Sequence, residues 1–349
     1  MTSPHSGSCR VIATAQELAG VISLNEIQKV DPTARRVKAL DSTASLIELS
    51  VSFRQLTDAF RQSPPIFLRH MFPVQCILPW KEAATDLSPL FFLVESMVPD
   101  QRASVQARFS FSRSSDEKQE KEPPLPFTLI HRLMDSIESL GITYSKKSPQ
   151  QILSLYFDRE MLYAGLSSPE DNLSAYNGGR RMYRKEEHQI SRAEFKLLEA
   201  LEIFKIPAAA QGQALDLGAA PGGWTRVLLE RGYSVTAVDP AALDDRLLSH
   251  PRLTHFRDVS QNYTGSPGSV DLLVNDMRMD PSESARIMCD VYPLLKKNGQ
   301  AIMTLKLAKK QWFKQTQKAL QSLKRVYSVK GVRQLFNNRS EVTVWMTTE

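Results

Sequence analysis

The 349-residue chain has only three cysteines, Cys9, Cys76 and Cys289, and no two of them make a CxxC pair. That scarcity argues against a disulfide framework and a cysteine-ligated structural zinc, and it fits a reducing compartment. No apolar run approaches the roughly 18 uninterrupted residues that a membrane helix needs. The opening MTSPHSGSCR lacks a basic stretch followed by an apolar one, so no secretory signal is read there. A cytoplasmic protein is expected, with no membrane partner and no metal. Negative charge is also missing, but only locally. From Val291 to Ser340 there is no Asp or Glu, while twelve Lys and Arg fall in that stretch, Lys296 through Arg339. The net charge of +6 is mild for the whole chain, so the clustering is what suggests a polyanion partner. A solvated basic face without any partner is the plainer alternative, and charge alone does not separate the two.

What is present divides the chain in two. At this length two or three domains are expected. The first half mixes short strand-like and helical runs, CRVIAT, SLIELSVS, FRQLTDAFRQS and PIFLRHMFPVQCILPW, as small α+β units do. Ser112–Pro126 is charged and proline-bearing and reads as an exposed loop. FTLIHRLMDSIESLG then has helical spacing in Leu129, Leu133, Ile137 and Leu140, and QILSLYFDREMLYAGLS reads as a hairpin. SPEDNLSAYNGGRRMYRKEEHQ carries Gly178 and Gly179 with dense charge, and reads as an interdomain linker. Its Arg180, Arg181, Arg184 and Lys185, interleaved with Tyr176 and Tyr183, are candidates for gripping a nucleic-acid backbone and stacking on bases. From Ser191 onward ALDLGA, SVTAVD, LTHFRD, VDLLVND and QAIMTLKL alternate with helix-length segments, which predicts a Rossmann-like wound, mostly parallel sheet. The last run, EVTVWMTT, is expected as an antiparallel edge.

LDLGAAPGGWTRVLLE, Leu215 to Glu230, reads strand, glycine-rich turn, helix, the usual ligand position at the carboxyl edge of a wound sheet. Gly218, Gly222 and Gly223 would let the backbone approach a ligand, and Pro221 stiffens the turn. The spacing differs from GxGxxG, which disfavours a dinucleotide. The next strand ends in Asp239, where a carboxylate would bridge ribose hydroxyls, and the third in Asp258, where one would accept from an adenine amino group. Together these describe an adenosine-bearing ligand without phosphates, S-adenosylmethionine. The cofactor set is then Asp216, Gly218, Ala219, Pro221, Gly222, Gly223, Trp224, Asp239, Asp258 and Asp276, with Trp224 expected to pack beneath the turn.

The fourth strand ends in Asp276 and the fifth carries Lys306, so both reach the same edge as the turn. A lysine at the end of so apolar a run needs either a partner or a reaction that uses it. Upstream, Ser191 and Glu194 have capping-box spacing and Lys196 lies one turn into that helix. Downstream, Glu341 opens the final strand.

In order, SRAEFKLLEA, LDLGAAPGGWT, VNDM, LKL and RSEVTVW resemble the motifs of the FtsJ-type ribose 2′-O-methyltransferases over residues 191–349. That resemblance implies a class I S-adenosylmethionine-dependent methyltransferase fold, an RNA substrate and a Lys-Asp-Lys-Glu tetrad of Lys196, Asp276, Lys306 and Glu341. The chain departs from it in VNDMRMDP, where Arg278 stands in the place of the alanine in a Met-Ala-Pro run. The first half is similar to a THUMP-type RNA-binding module with a ferredoxin-like companion, on the helix, the hairpin ending in LYAGLS and the order of domains. The implied domains are 1–75, 76–168, a linker 169–190 and 191–349. This order resembles the bacterial large-subunit rRNA 2′-O-methyltransferases of the RlmM kind, which implies RNA rather than DNA as partner, with 23S rRNA foremost and tRNA as an alternative.

The residues suit that chemistry. A ribose 2′-hydroxyl is a poor nucleophile and must be aligned and deprotonated. Lys306, lowered by burial and by Lys196, could accept that proton or orient the oxygen, while Asp276 opposes the shift. A surface salt-bridge network is the bland reading of the four. His70, His131 and His255 read as packing or surface histidines. NDMRMD lacks the Asn/Asp-Pro-Pro-aromatic run of amino-methylating enzymes, and Cys289 falls in a helical stretch, away from where a cytosine-C5 nucleophile is needed. A non-catalytic RNA-binding protein that holds the cofactor is the remaining alternative. KKQWFKQTQKALQSLKR, with Lys309 and Lys310 at its start, would set positive charge beside the site for an RNA backbone.

Overall fold

In the computed structural model residues 9–80, 86–110, 127–207, 211–308 and 310–348 are described. The expected loop at Ser112–Pro126 and the candidate Lys309 lie outside them. The chain divides into two units, one ending at Arg180 and the other beginning at Arg181.

In the first unit β1 (Cys9–Ala15), β2 (Arg35–Ala39), β3 (Ala44–Leu49) and β4 (Leu68–Pro73) form an antiparallel sheet of order β2-β3-β1-β4. With α1 (Gly20–Gln28) and α2 (Phe53–Gln62) the chain runs βαββαβ, a ferredoxin-like arrangement. Strand alternation explains its two faces. Val11 and Ala13 pack with Ile27, Leu56 and Phe60 of the helices, whereas Ile12 joins Phe72, Tyr156 and Tyr163. The last two residues belong to a second sheet made of β5 (Cys76–Pro79), β6 (Arg102–Phe109), β7 (Thr143–Tyr144), β8 (Gln151–Phe157) and β9 (Met161–Ser167), in the order β5-β9-β8-β6-β7. Leu90 of α3 (Ser88–Glu95) and Leu133 and Ile137 of α4 (Phe127–Ser139) cover it. The two sheets are tied by Lys38 to Asp158 at 2.7 Å and by Arg108 to Asp41 at 2.7 Å.

The first part of the segment expected as a linker is hydrogen-bonded to the first unit. Within the first unit the Asn172 carbonyl accepts from Met71 N–H at 3.2 Å, the Gln106 side-chain amide donates to the Ala175 carbonyl at 2.7 Å, and Asn177 donates to the Ala107 carbonyl at 2.6 Å.

His70 of β4 is a packed histidine with a consequence. Its ring is buried, and neither ring nitrogen has a hydrogen-bond partner among the described residues. Burial pushes its pKa down to about 3, with the Arg108 charge adding to the effect. The folded pKa is depressed, so the unfolded chain binds a proton that the fold excludes. Stability from this position is therefore complete above about pH 6.5 and falls by roughly 1 kcal/mol per pH unit below that. Urea midpoints taken between pH 7 and pH 4.5 should fall, and His70→Leu should flatten that fall.

In the second unit the parallel strands β10 (Gln213–Leu217), β11 (Ser234–Val238), β12 (Leu253–Phe256), β13 (Val270–Asn275) and β14 (Leu295–Lys306) are joined by β15 (Ser328–Arg333) and β16 (Glu341–Thr347). The order is β12-β11-β10-β13-β14-β16-β15. The strand order reverses between β10 and β13, the crevice where wound sheets hold ligands. Among the described residues five α-helices accompany the sheet: α5 (Glu194–Ile203), α6 (Gly223–Glu230), α7 (Asp245–Leu248), α8 (Pro281–Asp290) and α9 (Trp312–Leu323). The core runs through Leu197, Trp224, Leu228, Val274 and Ile302.

β16 is antiparallel but not the edge, a correction to the expected position. β15 lies outside it, and its sequence SVKGVR shows why it escaped notice: it is half-buried, has a lysine facing out, and shifts register between Val329 and Gly331. β16 runs against β14 with Lys306 opposite Glu341, and Leu307 N–H closes on the Ser340 carbonyl at 2.7 Å.

Candidate active site

Four elements deliver the four candidate residues to the carboxyl edge. Asp276 follows β13, Lys306 ends β14, Glu341 starts β16 and Lys196 rises from α5. The start of α5 is fixed by Glu194, whose side chain is 1% exposed. Its Oε1 accepts from Ile190 N–H at 2.7 Å and Ser191 N–H at 3.1 Å, and its Oε2 accepts from Arg226 of α6, Nη2 at 2.6 Å and Nε at 3.0 Å. The expected capping box is therefore half made. Glu194 reaches back to Ser191, but the Ser191 hydroxyl accepts from Ala193 N–H at 3.3 Å rather than from the third helical residue.

Lys196 Nζ lies 2.8 Å from Glu341 Oε1 and 3.4 Å from Asp276 Oδ2. Lys306 Nζ bonds Asp276 Oδ1, sits 3.5 Å from Glu341 Oε1 and donates to Thr304 Oγ1 at 2.7 Å. Thr304 in turn donates to Asp276 Oδ1. Thr304 is a member of this network that sequence reasoning missed. The signal was available, since a polar residue two positions before Lys306 shares its strand face. The side chains of the four charged residues are 12–18% exposed, which separates them from a solvated surface network while leaving them reachable from solvent.

Burial and charge sort the two lysines. Lys306 is lowered from its ordinary value, mainly by burial, with Lys196 adding to the shift and Asp276 opposing it. Burial also works against charge on Lys196, but Asp276 and Glu341 outweigh it and raise that group. Burial alone would raise the Glu341 carboxyl, yet Lys196 and Lys306 hold it below its usual range. The two shifts therefore run in opposite directions, so of the pair Lys306 is the lysine that releases its proton more readily.

The glycine turn adjoins this network. Gly218 has φ +73°, and a Cβ built on it would lie 2.4 Å from Met277 Cγ and 3.2 Å from Met277 Cα, so turn and Asp276 loop touch. Asp239 lies at the end of β11, with Oδ2 accepting from Ala220 N–H at 3.0 Å and Oδ1 from Ala241 N–H at 2.8 Å. Asp258 stands two residues past β12, and the Asn262 side chain together with Val259 N–H holds its carboxyl below the usual range. Ala219 and Pro221 complete the turn, Gly222 enters α6 at φ +109°, and a Cβ on Gly223 would meet Ser191 Oγ at 2.3 Å. No cation belongs to this set. Backbone approach with two carboxylates suits the hydroxyls and amino group of an adenosine.

Two of the set lie beneath the turn. Asp216 is fully buried, accepts from Thr225 Oγ1 at 2.7 Å, and has its pKa raised to about 7, chiefly by burial. The Trp224 ring sits in the core, and its Nε1 donates to the Ala193 carbonyl at 2.8 Å, pinning α6 to the start of α5. Gly218→Ala tests the turn. A left-handed backbone position costs a side chain ~1–2 kcal/mol before the Met277 clash is added. Affinity for S-adenosylmethionine should fall at least about tenfold by titration calorimetry.

The candidate RNA contacts separate. Arg180, Arg184, Lys185 and Lys310 are exposed, as is Arg278 after Asp276. Arg181 and Tyr183 are already engaged: the Arg181 guanidinium lies 4.3 Å from the centroid of the Tyr183 ring, both donate to Glu202 Oε2 at 2.8 Å, and Tyr183 stacks on Phe195. In α9, Trp312, Leu320 and Leu323 face inward while Lys314 and Lys318 stay exposed.

Residues 189–322 match the family model of FtsJ-like methyltransferases. The matched stretch begins just before α5 and contains Asp276 and Lys306. Proteins named ribosomal RNA large subunit methyltransferase M are similar to the chain. That of Pseudoalteromonas atlantica is 31% identical over 221 residues, 59% of this chain and 61% of the relative. That of Cellvibrio japonicus is 35% identical over 217 residues, 58% and 60% respectively. That of Citrobacter koseri is 27% identical over a longer stretch of 297 residues, 80% of this chain and 78% of the relative. The chain spans about three fifths of the length of the first two of these relatives.

Proposed function

We propose that the chain is an S-adenosylmethionine-dependent RNA ribose 2′-O-methyltransferase acting on large-subunit rRNA. The observation that carries this reading is a half-buried, pKa-lowered Lys306 held by Asp276 and Thr304, with Lys196 and Glu341 beside it, next to a glycine turn and two carboxylates. The name of its relatives supports rRNA as the substrate.

S-adenosylmethionine would supply an electrophilic methyl group and leave as a neutral thioether. Gly218 and its neighbours would hold it through backbone approach, with Asp239 toward the ribose hydroxyls and Asp258 toward the adenine amino group. Lys306 Nζ, in its neutral form, would take the proton of the target 2′-hydroxyl as its oxygen forms the new bond to carbon. Lys196, charged throughout, favours the neutral form of Lys306. Asp276 and Thr304 fix the direction of the Lys306 lone pair, and Glu341 holds Lys196 in place. The basic stretch of α9 would meet the RNA backbone.

The test is methyl transfer from labelled S-adenosylmethionine to large-subunit rRNA lacking its modifications, followed by digestion to nucleosides. Label in a 2′-O-methylnucleoside supports the reading. Label in tRNA alone would move the substrate. Cofactor binding with no transfer to any cellular RNA would leave the non-catalytic binding protein as the better account.

A further inference from the structure

The second unit opens a hollow of about 630 Å³, lined in part by Lys196 and Glu341. Its walls are aromatic and apolar, with Tyr183, Phe195, Phe336 and Met182, and Arg192 and Arg339 stand exposed around it. Met182 is 69% exposed. We propose that this hollow receives one unstacked base of the RNA, next to the ribose being methylated; the inference rests on the function proposed above and names how its substrate is held.

Three observations point to a base. The hollow shares Lys196 and Glu341 with the charged network, so whatever fills it is adjacent to Lys306. Its volume falls in the range of about 300–1,000 Å³ of small-ligand pockets, room for a nucleoside unit. Its lining brings aromatic rings together with two guanidinium groups, the residue types that stack a base and steady the phosphates on either side of it.

The walls are also built to hold their shape. Buried Glu199 of α5 accepts from Phe336 N–H and Asn337 N–H at 2.8 Å each and from the Asn337 side-chain amide at 2.7 Å. One turn along the same helix, Glu202 takes the Arg181 and Tyr183 donors that fasten the opposite wall. Asn337 closes the ring by donating to the Arg181 carbonyl at 3.1 Å. A hollow whose two walls hang from the helix that carries Lys196 places its occupant in register with the chemistry.

The experiment measures kcat and KM of methyl transfer to unmodified large-subunit rRNA for Phe336→Ala, Phe336→Tyr and Met182→Glu, with cofactor affinity as the check on folding. Loss of one stacking surface is expected to raise KM for RNA about tenfold in Phe336→Ala and to do so in Met182→Glu, with Phe336→Tyr close to the unaltered chain. The dependence of KM on salt is expected to stay unchanged in Phe336→Ala and to weaken in Arg192→Ala. Transfer by the unaltered chain with no rise in KM for Phe336→Ala and Met182→Glu overturns this inference alone. A KM that responds only to Arg192 also overturns it, since the hollow would then take backbone. No transfer by the unaltered chain overturns the inference together with the function beneath it.

Discussion

Lys306→Ala should lower kcat/KM for methyl transfer to RNA by at least about 10³-fold while S-adenosylmethionine affinity stays within about twofold, because general-base assistance contributes roughly 10²–10⁴ in rate and the turn that would hold the cofactor does not contain Lys306. Lys306→Arg should be as inactive as the alanine variant, since a guanidinium keeps its proton at any working pH. An active Lys306→Arg would make the group a fixed donor and defeat the base assignment. The pH profile carries the sign. Neutral Lys306 is the reactive form, so kcat/KM should climb as pH rises through its lowered pKa and then level off. Lys196 is one of the groups lowering Lys306. Lys196→Met should therefore move the rising limb toward higher pH, whereas a purely structural role for Lys196 would reduce the rate without shifting the limb.

Glu194→Ala is expected to destabilise the second unit by about 2–3 kcal/mol, because it removes the buried acceptor of the Ile190 and Ser191 N–H groups, while Arg226 keeps Glu186 and Glu230 as partners. Four donors converge on the Glu194 carboxylate, two from backbone and two from Arg226, and the side chain is 1% exposed. Glu194→Gln is no rescue: an amide keeps the shape but turns one acceptor into a donor aimed at another donor. Glu194→Leu combined with Arg226→Leu should be less destabilised than the sum of the two single changes, by at least about 1 kcal/mol of coupling. Urea unfolding followed by tryptophan fluorescence suits the measurement, since Trp224, Trp312 and Trp345 lie in this unit. An additive cycle would show the pair to be independent. The effect reaches function because Glu194 sets the start of α5, two residues before Lys196.

The wound sheet was legible because each strand is an apolar run that stops at a polar residue, and the stopping residues of β10, β11 and β13 gather at one edge by topology alone. That Asp276 and Lys306 meet follows from adjacent parallel strands. Two other features were hidden. Arg181 and Tyr183 looked available for RNA because a sequence shows their charge and ring but not Glu202, nineteen positions or more downstream, which ties them down. β15 was hidden because an edge strand needs only one apolar face, and SVKGVR does not offer even that cleanly. The wall at Phe336 and Asn337 was invisible for a related reason: it is held by backbone N–H groups, which every residue has, on a single buried glutamate.

The pairing of Lys306 with Glu341 across β14 and β16 works as a ruler. After Lys306 the chain runs through α9, the outer strand β15 and the wall of the hollow, and returns along β16 opposite the residue it left. The pairing is set by a ladder of backbone hydrogen bonds, and Arg339 N–H steadies Glu341 further by donating to its Oε2 at 2.7 Å. A slip of one residue at either end would turn Glu341 to the other face and dismantle the pair.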